Sequence, residues 1–454
     1  MKVIIVGAGE VGFNIARRLS EEDHDVVVID RDPAKIRRLS ESLDVQYIRG
    51  AGSSPSILKE AGMKDADIVV AVTDSDEINI VACLFANMES EHVIKIARIR
   101  NREYLEHKRI FEKTGLSIDL VINPESEVVK SILTLLEVPG ASDVIDFAGG
   151  KVRLIGLNVK SNPVLAGRKL VDFKEMTRAH PFLIAVIIRG GKTIIPGGRD
   201  TILPNDFVYL VVEEQNVANV MQKFNIQHQA LKKIIIVGGG NLGFTLAEQL
   251  DRAPVKAKII ESNEARCQLL AERLNKVTVL CGDGTDKDLL MEENIQDTDA
   301  VIAVTEEEET NVLISLLARE LGAKKTITRI SKFSYIPLVQ AIGLDAVVSP
   351  RLSAVSAILQ YIRQGKVISV ASLKGESAEA IEVLALETSE IVGRPIKDVG
   401  FPKGALLGAI VRGDEVFIPT GESVVKPQDR MIIFSGREAI PAVEKFLTVS
   451  MEYF

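Results

Sequence analysis

The chain opens with a strand, a glycine-rich turn, a helix and a second strand that ends in an acid. Lys2–Val6 is apolar and rich in β-branched residues, as in a buried parallel strand, and it runs into Gly7–Gly12 with the spacing G-x-G-x-x-G. The second strand ends at Asp30, 18 residues after Gly12. In this pattern the first glycine allows a tight turn, the second lets the backbone approach a pyrophosphate, and the third lets helix and strand pack closely. The segment therefore predicts a nucleotide-binding α/β sheet.

The same segment recurs in the second half of the chain. Lys233–Val237 leads into Gly238–Gly243, and the next strand ends at Glu261, again 18 residues after the third glycine. Chance does not readily produce a strand, three glycines, a helix and an acid twice at one spacing. The order of later segments also repeats, so we predict a tandem duplication of halves of about 225 residues.

Each half alternates strands with helices and then changes character. The alternation predicts a Rossmann-like, doubly wound parallel sheet, and the shorter β runs between Gly-rich turns predict a small α+β domain after it. A helix with a broad apolar face joins the two domains, which predicts its burial against another module or subunit. The predicted segments are 1–122 (first Rossmann-like domain, with a helix end and a short strand from Thr114), 123–142 (connecting helix), 143–226 (first small domain), 227–232 (linker), 232–348 (second Rossmann-like domain), 349–365 (connecting helix) and 367–454 (second small domain).

Composition excludes several classes of protein. The 454 residues include 55 basic and 63 acidic ones, and the net charge of −8 argues against a nucleic-acid partner. No apolar run approaches the ~20 residues that span a bilayer, and the first one ends in the glycine turn rather than in a signal-peptide cleavage site. We therefore expect a soluble, cytoplasmic chain that can dock on a membrane protein. Cys83, Cys267 and Cys281 lack metal-ligand spacing and are predicted to be reduced thiols.

The two strand-end acids are the first candidates for ligand contact. Asp30 and Glu261 stand where an adenosine ribose would lie, and a carboxylate there accepts hydrogen bonds from the ribose and repels a 2′-phosphate. This favours NAD over NADP, although Arg31 beside Asp30 leaves NADP open at the first site. AMP, ADP and ATP carry the same ribose, so the acid does not select a dinucleotide. The alternative interpretation is a surface acid at a strand end.

Arginines end the fifth strand in both halves. Arg98 and Arg329 are predicted at the carboxyl edge of each sheet, where ligands of open α/β sheets bind and where a guanidinium can pair with phosphate. Arg100 adds a second guanidinium in the first half, and Ser331 replaces it in the second. The alternative interpretation is a solvated arginine at a strand end.

An acidic segment follows the fourth strand in both halves, at residues 74–77 and 306–309. One interpretation is a solvated helix start, which the helix dipole favours. The other is a divalent-cation site near nucleotide phosphates.

Catalytic groups do not recur between the halves. None of the five histidines is repeated, and the sequence lacks a nucleophile elbow, zinc-ligand spacing and the lysine of a P-loop. We therefore predict a binding protein with no catalytic residues and no metal ligands, not an enzyme. The alternative is an NAD-dependent oxidoreductase.

Several segments carry a family resemblance, namely KVIIVGAGEVG, AVTDSDEIN, AVTEEEETN, the GDGT turn and the IVR-x₅-IP pattern. Over essentially its whole length the chain resembles the TrkA family of Trk potassium-uptake regulatory subunits, built from two RCK units (KTN plus TrkA C-terminal domains). The resemblance implies nucleotide contacts at Gly7, Ala8, Gly9, Glu10, Val11, Asp30, Ala51, Thr73, Asp74 and Arg98, and at Gly238, Gly239, Gly240, Asn241, Leu242, Glu261, Asp283, Thr305 and Arg329. Ala51 departs from the second half, which has Asp283 at this position.

The resemblance also implies a cellular role. Family members bind NAD(H) and adenine nucleotides such as ATP and ADP, and ligand identity changes the shape of a cytoplasmic ring at the inner face of the cell membrane. The ring lies beneath a TrkH- or TrkG-type potassium translocator. Because an RCK ring has eight units, two units per chain imply a homotetramer.

Overall fold

A computed structural model describes residues 1–90, 92–107, 111, 117–160, 162–226, 231–362, 367–373 and 378–447. The predicted helix end at Thr114, most of the linker at 227–232 and the end of the connecting helix at 363–365 lie outside the described residues. The chain forms two compact units, Met1–Val128 with Ser349–Ile362, and Val129–Val348 with Arg363–Phe454.

The first domain is a six-stranded parallel sheet in the order β3-β2-β1-β4-β5-β6. Its strands are β1 (Lys2–Val6), β2 (Asp25–Asp30), β3 (Gln46–Arg49), β4 (Ile68–Ala71), β5 (Ile94–Arg98) and β6 (Leu120–Ile122), with helices α1 (Glu10–Glu21), α2 (Pro33–Ser42), α3 (Pro55–Glu60), α4 (Asp76–Glu89) and α5 (Arg102–Glu106). Val3–Val6 of β1 is fully buried because helices cover both faces of the sheet, which explains its continuous apolar run. The strand order reverses between β1 and β4, the point at which open α/β sheets bind ligands.

The first small domain follows α6 (Pro124–Glu137) and is antiparallel. It contains β7 (Asp143–Phe147), β8 (Val152–Asn158), β9 (Phe182–Arg189), β10 (Lys192–Ile194), β11 (Phe207–Glu213) and α7 (Val217–Lys223). The sheet order is β10-β9-β11-β8-β7.

The second half repeats both architectures. Its parallel sheet contains β12 (Lys233–Val237), β13 (Lys256–Glu261), β14 (Thr278–Cys281), β15 (Ala300–Ala303), β16 (Thr326–Arg329) and β17 (Ala346–Val348), with helices α8 (Asn241–Asp251), α9 (Glu264–Arg273), α10 (Lys287–Glu292), α11 (Glu308–Glu320) and α12 (Ile336–Ala341). After α13 (Pro350–Ile362) come β18 (Val367–Ser372), β19 (Ala378–Leu384), β20 (Ala405–Arg412), β21 (Glu415–Phe417), β22 (Arg430–Gly436) and α14 (Ile440–Leu447). The parallel sheet has the order β14-β13-β12-β15-β16-β17, as in the first half. The antiparallel sheet has the order β18-β19-β22-β20-β21, which is equivalent to β7-β8-β11-β9-β10 in the first half. Both matches confirm the predicted fold class and duplication.

The connecting helices are buried as predicted, but each packs on the Rossmann-like sheet of the other half. Ala354, Ile358 and Ile362 of α13 join the core formed by the first sheet and α1, where each fully buried large apolar side chain contributes about 1.5–3 kcal/mol. The later residues of α6 belong to the unit that contains the second sheet. Lys325 immediately precedes β16 of that sheet, and its Nζ donates to the Leu135 carbonyl at 2.8 Å. Burial lowers the pKa of Lys325 to about 8.

The two small domains share one apolar core. Inward-facing residues of both antiparallel sheets meet in it, among them Leu154 and Val211 of the first domain and Ala380 and Phe434 of the second. In the part of the chain that the structure describes, no helix is both long and apolar enough to cross a membrane.

Candidate functional site

The glycine turn after the first strand of each parallel sheet requires glycine. Gly7 has φ +110°, and a Cβ there would lie 2.9 Å from the Thr73 backbone nitrogen. A Cβ at Gly12 would lie 1.8 Å from the Gly7 carbonyl oxygen, so helix and strand approach too closely for any other residue. Gly238 and Gly243 repeat both contacts. Around a Cβ at Gly9 nothing lies within 4 Å, which is the open space that an approaching pyrophosphate needs.

The strand-end acids contact the glycine turns directly. Asp30 Oδ2 accepts a hydrogen bond from the Ala8 amide at 2.7 Å, and its Oδ1 accepts one from the Asp32 amide at 2.9 Å. Asp30 is 8 % exposed, and Lys35 Nζ lies 3.7 Å from its carboxylate. The acid therefore orders the glycine turn, and a plain surface acid is the wrong interpretation.

Glu261 is arranged in the same way in the second half. Its Oε2 accepts from the Gly239 amide at 2.7 Å, and its Oε1 accepts from the Asn263 amide at 2.8 Å. Arg266 takes the position of Lys35, but its Nε donates to the Gly239 carbonyl at 2.8 Å. Both acids are thus hydrogen-bonded to two backbone amides each.

A buried asparagine joins the ends of the fourth and fifth strands in the first sheet. Asn79 is fully buried, and its Oδ1 accepts from the Thr73 amide at 2.8 Å and from the Thr73 hydroxyl at 2.7 Å. Its Nδ2 donates to the carbonyls of Thr73 and Arg98 at 3.2 and 2.8 Å. Asn79 thereby holds the loop between β4 and α4, residues 72–75 (the Thr73 loop), next to Gly7.

Asn311 makes the same four hydrogen bonds in the second sheet. They join it to the Thr305 amide and hydroxyl, both at 2.8 Å, and to the carbonyls of Thr305 and Arg329 at 3.1 and 3.2 Å. Neither asparagine is among the residues that the sequence predicts to contact a ligand. Their recurrence in AVTDSDEIN and AVTEEEETN was the signal for their role.

The strand-end arginines point to the same loops. Arg98 Nη2 donates to the Thr73 carbonyl at 2.5 Å and lies 3.6 Å from Asp74 Oδ1, while Arg329 Nη1 donates to the Thr305 carbonyl at 3.1 Å. The Arg98 side chain is only 11 % exposed, so a solvated strand-end arginine is the wrong interpretation. Burial, and then the nearby charge of Arg100, lower the pKa of Arg98 to about 10.

The acidic segments correct a prediction. Asp76 is buried, and its Oδ2 accepts from the backbone amides of Arg100 and Asn101 at 2.9 and 2.7 Å. Glu308 is also buried and accepts from the Lys332 amide at 3.1 Å with both oxygens. A solvated helix start is therefore wrong for these two acids, which tie the fourth helix to the chain after the fifth strand. Among the described residues, no group of three or more His, Cys, Asp or Glu side chains could hold a metal ion.

The charged side chains beyond the fifth strands differ between the halves. Arg100 Nη2 donates to the Asp74 carbonyl at 2.9 Å, and the Asp74 side chain is 88 % exposed. In the second half Lys332 Nζ pairs with Glu309 at 3.3 Å and lies 4.7 Å from the centre of the Tyr335 ring. Arg100 thus places a positive charge beside the Thr73 loop, whereas the positive charge of Lys332 in the second half is paired with Glu309.

The first helical residues also differ. Glu10 pairs with Arg38 at 2.5 Å, and the Arg38 guanidinium lies 4.1 Å from the centre of the Phe13 ring. Asn241 replaces Glu10 in the second half. Val11 and Leu242, which the resemblance includes among the contacts, are 3 and 2 % exposed, so their side chains belong to the interior.

The turns after the third strands are close to the acids through the backbone. The Gly50 amide donates to the Asp30 carbonyl at 3.0 Å, and the Gly282 amide donates to the Glu261 carbonyl at 2.9 Å. Ala51 and Asp283 follow these glycines. Asp283 Oδ1 accepts from the Thr285 amide and hydroxyl, both at 2.8 Å, and these bonds lower the pKa of Asp283. Its carboxylate therefore orders its own turn.

In each half the glycine turn, the strand-end acid and the arginine-bound loop all lie at the carboxyl edge of one doubly wound sheet. This combination defines the Rossmann class of nucleotide-binding folds, present here in two copies.

The comparisons with known proteins agree with this class. The TrkA-N domain family matches residues 3–124 and 234–350, and the TrkA-C domain family matches residues 154–225 and 380–448. The chain is similar to the Trk system potassium uptake protein TrkA of Halomonas elongata, with 38 % identity over 100 % of both chains. It is also similar to TrkA homolog 1 of Methanosarcina mazei, with 39 % identity over 98 % of this chain and 100 % of the relative.

Solved structures share the fold. The GsuK channel bound to NAD has a TM-score of 0.60 and 18 % identity over 98 % of this chain and 78 % of that one. The GsuK channel bound to ADP has a TM-score of 0.50 and 16 % identity over 80 and 69 %.

The chain belongs to the TrkA family of Trk system potassium uptake proteins. This is a family of transport-system regulators, not of enzymes, which decides against the alternative of an oxidoreductase.

Proposed function

We propose that the chain is a cytoplasmic regulatory subunit that gates a TrkH- or TrkG-type potassium translocator in response to NAD(H) and adenine nucleotides. The observation that carries the proposal is the repeated contact of a strand-end carboxylate with a glycine turn, Asp30 with Ala8 and Glu261 with Gly239. Family membership supplies the link to potassium uptake.

The geometry suits a nucleotide whose ribose hydroxyls are unmodified. Each carboxylate oxygen accepts one backbone amide, and an ionised carboxyl has about four acceptor positions, so acceptors are left for the ribose hydroxyls. The space at Gly9 and the N-terminus of α1 would receive the phosphates, because free backbone amides and the helix dipole favour negative charge there. The structures of GsuK with NAD and with ADP support both types of ligand.

We propose that the loops at Thr73 and Thr305 change position according to which phosphates are bound. Arg98 and Arg329 are already bound to these loops, so a ligand phosphate that attracts the guanidinium would pull on the loop backbone. Arg100 would add charge for a terminal phosphate at the first site only. The remaining contact positions of the family resemblance stay predictions.

Assembly is proposed to convert binding into gating. Two RCK units per chain would make a homotetramer with an eight-unit ring, peripheral to the inner face of the membrane. A ligand that binds one ring shape better than another shifts the equilibrium between them and, with it, the state of the translocator.

Titration calorimetry on charge-neutral variants tests the sites. Asp30→Asn and Glu261→Gln keep the side-chain shape and one acceptor oxygen, enough for one of the two backbone amides, but lose the charge proposed to bind the ribose. We expect each to weaken NADH and ATP binding at its own site by about 1–3 kcal/mol. Asp25→Asn, at the exposed opposite end of β2, and Glu272→Gln, exposed on α9, are the matched controls and should bind like the unmodified chain.

Potassium flux completes the test. In vesicles that contain a TrkH-type translocator, the unmodified chain should make flux depend on nucleotide, and the Asp30→Asn, Glu261→Gln double variant should not. Unchanged affinity and stoichiometry in the double variant, with the controls folded, would refute the proposed ligand sites.

A further inference from the structure

Two cysteines meet beside the acid of the second site. Cys267 lies on α9, and its thiol donates to the Glu261 carbonyl with sulfur and oxygen 3.2 Å apart. Cys281 ends β14, where it is paired in register with Glu261 on the neighbouring strand β13. The Glu261 carbonyl also accepts from the amide of Gly282, the residue after Cys281, at 2.9 Å. Both cysteines therefore lie beside the backbone of Glu261, one on the helix and one on the neighbouring strand.

The pair is specific to the second half. Ile36 occupies the position of Cys267 in the first half, and Arg49, at the end of β3, occupies that of Cys281. The remaining cysteine, Cys83, is fully buried on α4 among apolar side chains of the first sheet. The first glycine turn therefore has no equivalent thiols.

The two thiols differ in solvent exposure, as required of a pair in which one cysteine is oxidised first and the other then forms the disulfide. Cys281 is exposed, whereas Cys267 is 7 % exposed. Burial, and then the neighbouring Cys281 side chain, raise the pKa of Cys267 to about 12. An oxidant in solution would therefore meet Cys281 first, because reaction requires an accessible thiolate.

We propose that Cys267 and Cys281 form a reversible disulfide, which makes the second nucleotide site a modification site that the first is not. With hydrogen peroxide as oxidant, the Cys281 thiolate attacks one peroxide oxygen, the O–O bond breaks, and a sulfenic acid and hydroxide form. Cys267 then loses its proton and attacks the Cys281 sulfur, so that the S–S bond forms and the second hydroxide leaves. Two thiols and one peroxide thus yield one disulfide and two waters, and a dithiol reductant reverses the change.

Closure would change the surroundings of Glu261. A disulfide removes the Cys267 S–H that donates to the Glu261 carbonyl, and it ties α9 to β14 across the end of β13. This part rests on the proposed function, because Glu261 is the ribose contact of that proposal. We expect nucleotide affinity at the second site to fall at least threefold on oxidation, with the first site unchanged.

Peptide mapping tests the disulfide without reference to nucleotide. The full chain is treated with hydrogen peroxide, blocked with N-ethylmaleimide and digested. We expect a Cys267–Cys281 cross-link that dithiothreitol removes, with Cys83 still a thiol. Cys281→Ser and Cys267→Ile, the latter carrying the residue of the first half, should each abolish the cross-link, and Cys83→Ala should retain it. Cross-links only between chains, or oxidation of Cys281 without a cross-link, would overturn the proposal.

Calorimetry on the Asp30→Asn chain, in which the first site should bind nucleotide more weakly than the second, tests the regulation. Weaker ATP and NADH binding after oxidation, restored by dithiothreitol and absent in Cys281→Ser, supports it. Equal affinity of the oxidised and reduced forms overturns the regulation. A reduced chain that binds no nucleotide at the second site instead contradicts the proposed function and leaves the mapped disulfide standing.

Discussion

The two glycine-turn sites share a scaffold but differ in charge. The same hydrogen bonds from Asn79 and Asn311 hold the loops after the fourth strands, and the same contacts from Asp30 and Glu261 hold the glycine turns. The side chains around these scaffolds differ. Neither the ion pair of Glu10 with Arg38 nor the Arg100 side chain has an equivalent in the second half. The two halves thus share the backbone geometry of a Rossmann site and differ in the charges around it.

The largest effect is expected at the shared scaffold. Asn79→Ala and Asn311→Ala leave a buried loop amide and a strand-end carbonyl without their partners, so each should destabilise its own sheet by about 3 kcal/mol. Hydrogen exchange resolved by peptide measures the two sheets separately. Met88→Ala and Leu313→Ala, exposed on the same helices, are the controls and should change stability by less than about 0.5 kcal/mol. Very different losses for the two asparagines would show that the scaffolds are not equivalent.

The next effect concerns the guanidinium found only at the first site. Arg100 is exposed, so its side chain can be removed with less disturbance of the structure than that of Arg98. Arg100→Ala should weaken ATP binding about tenfold, which is the scale of one charge-assisted hydrogen bond. The same variant should hardly change NADH binding. Ser331→Arg makes the reciprocal change and should strengthen ATP binding at the second site. Both are measured by titration with the two ligands. Equal losses for ATP and NADH would show that Arg100 does not sense a terminal phosphate.

A smaller effect is expected at the first helical residue. Glu10 places a carboxylate at the positive end of α1, where phosphates would bind, and its repulsion is partly offset by Arg38. Glu10→Asn should therefore strengthen NAD binding at the first site a few-fold, and Asn241→Glu should weaken it at the second by a similar factor. Changes of the same sign in both variants would contradict an electrostatic cause.

The smallest effect is a pH dependence confined to one turn. The bonds from Thr285 lower the pKa of Asp283, so this carboxylate stabilises its turn above its unfolded pKa of about 3.9, and the contribution is lost as pH falls through the lower folded pKa. Exchange of the Thr285 amide should therefore accelerate below about pH 4 relative to the Asp283→Ala variant. The Ala51 turn should show no such change, because it lacks the carboxylate.

Some features of the molecule follow from residues close together in the chain. The apolar run of Lys2–Val6, the glycine turn and the acid at Asp30 predict strand, turn and site because each depends on local sterics and on a fixed spacing. The repeated pattern predicts the second site in the same way. The observed strand orders confirm the fold class that this pattern predicts.

Other features depend on which distant residues meet. The apolar face of α13 predicts burial, but its docking on the first sheet, in place of its own, is set by long-range packing. The acids Asp76 and Glu308 look solvated in sequence because a charge at a helix start usually is, and they are buried because backbone amides after the fifth strand supply their partners. Cys267 and Cys281 lie 14 residues apart without ligand spacing, and the position of α9 and the pairing of β14 with β13 place both beside Glu261. Spacing along the chain carries no information about such contacts, since the sheet creates them.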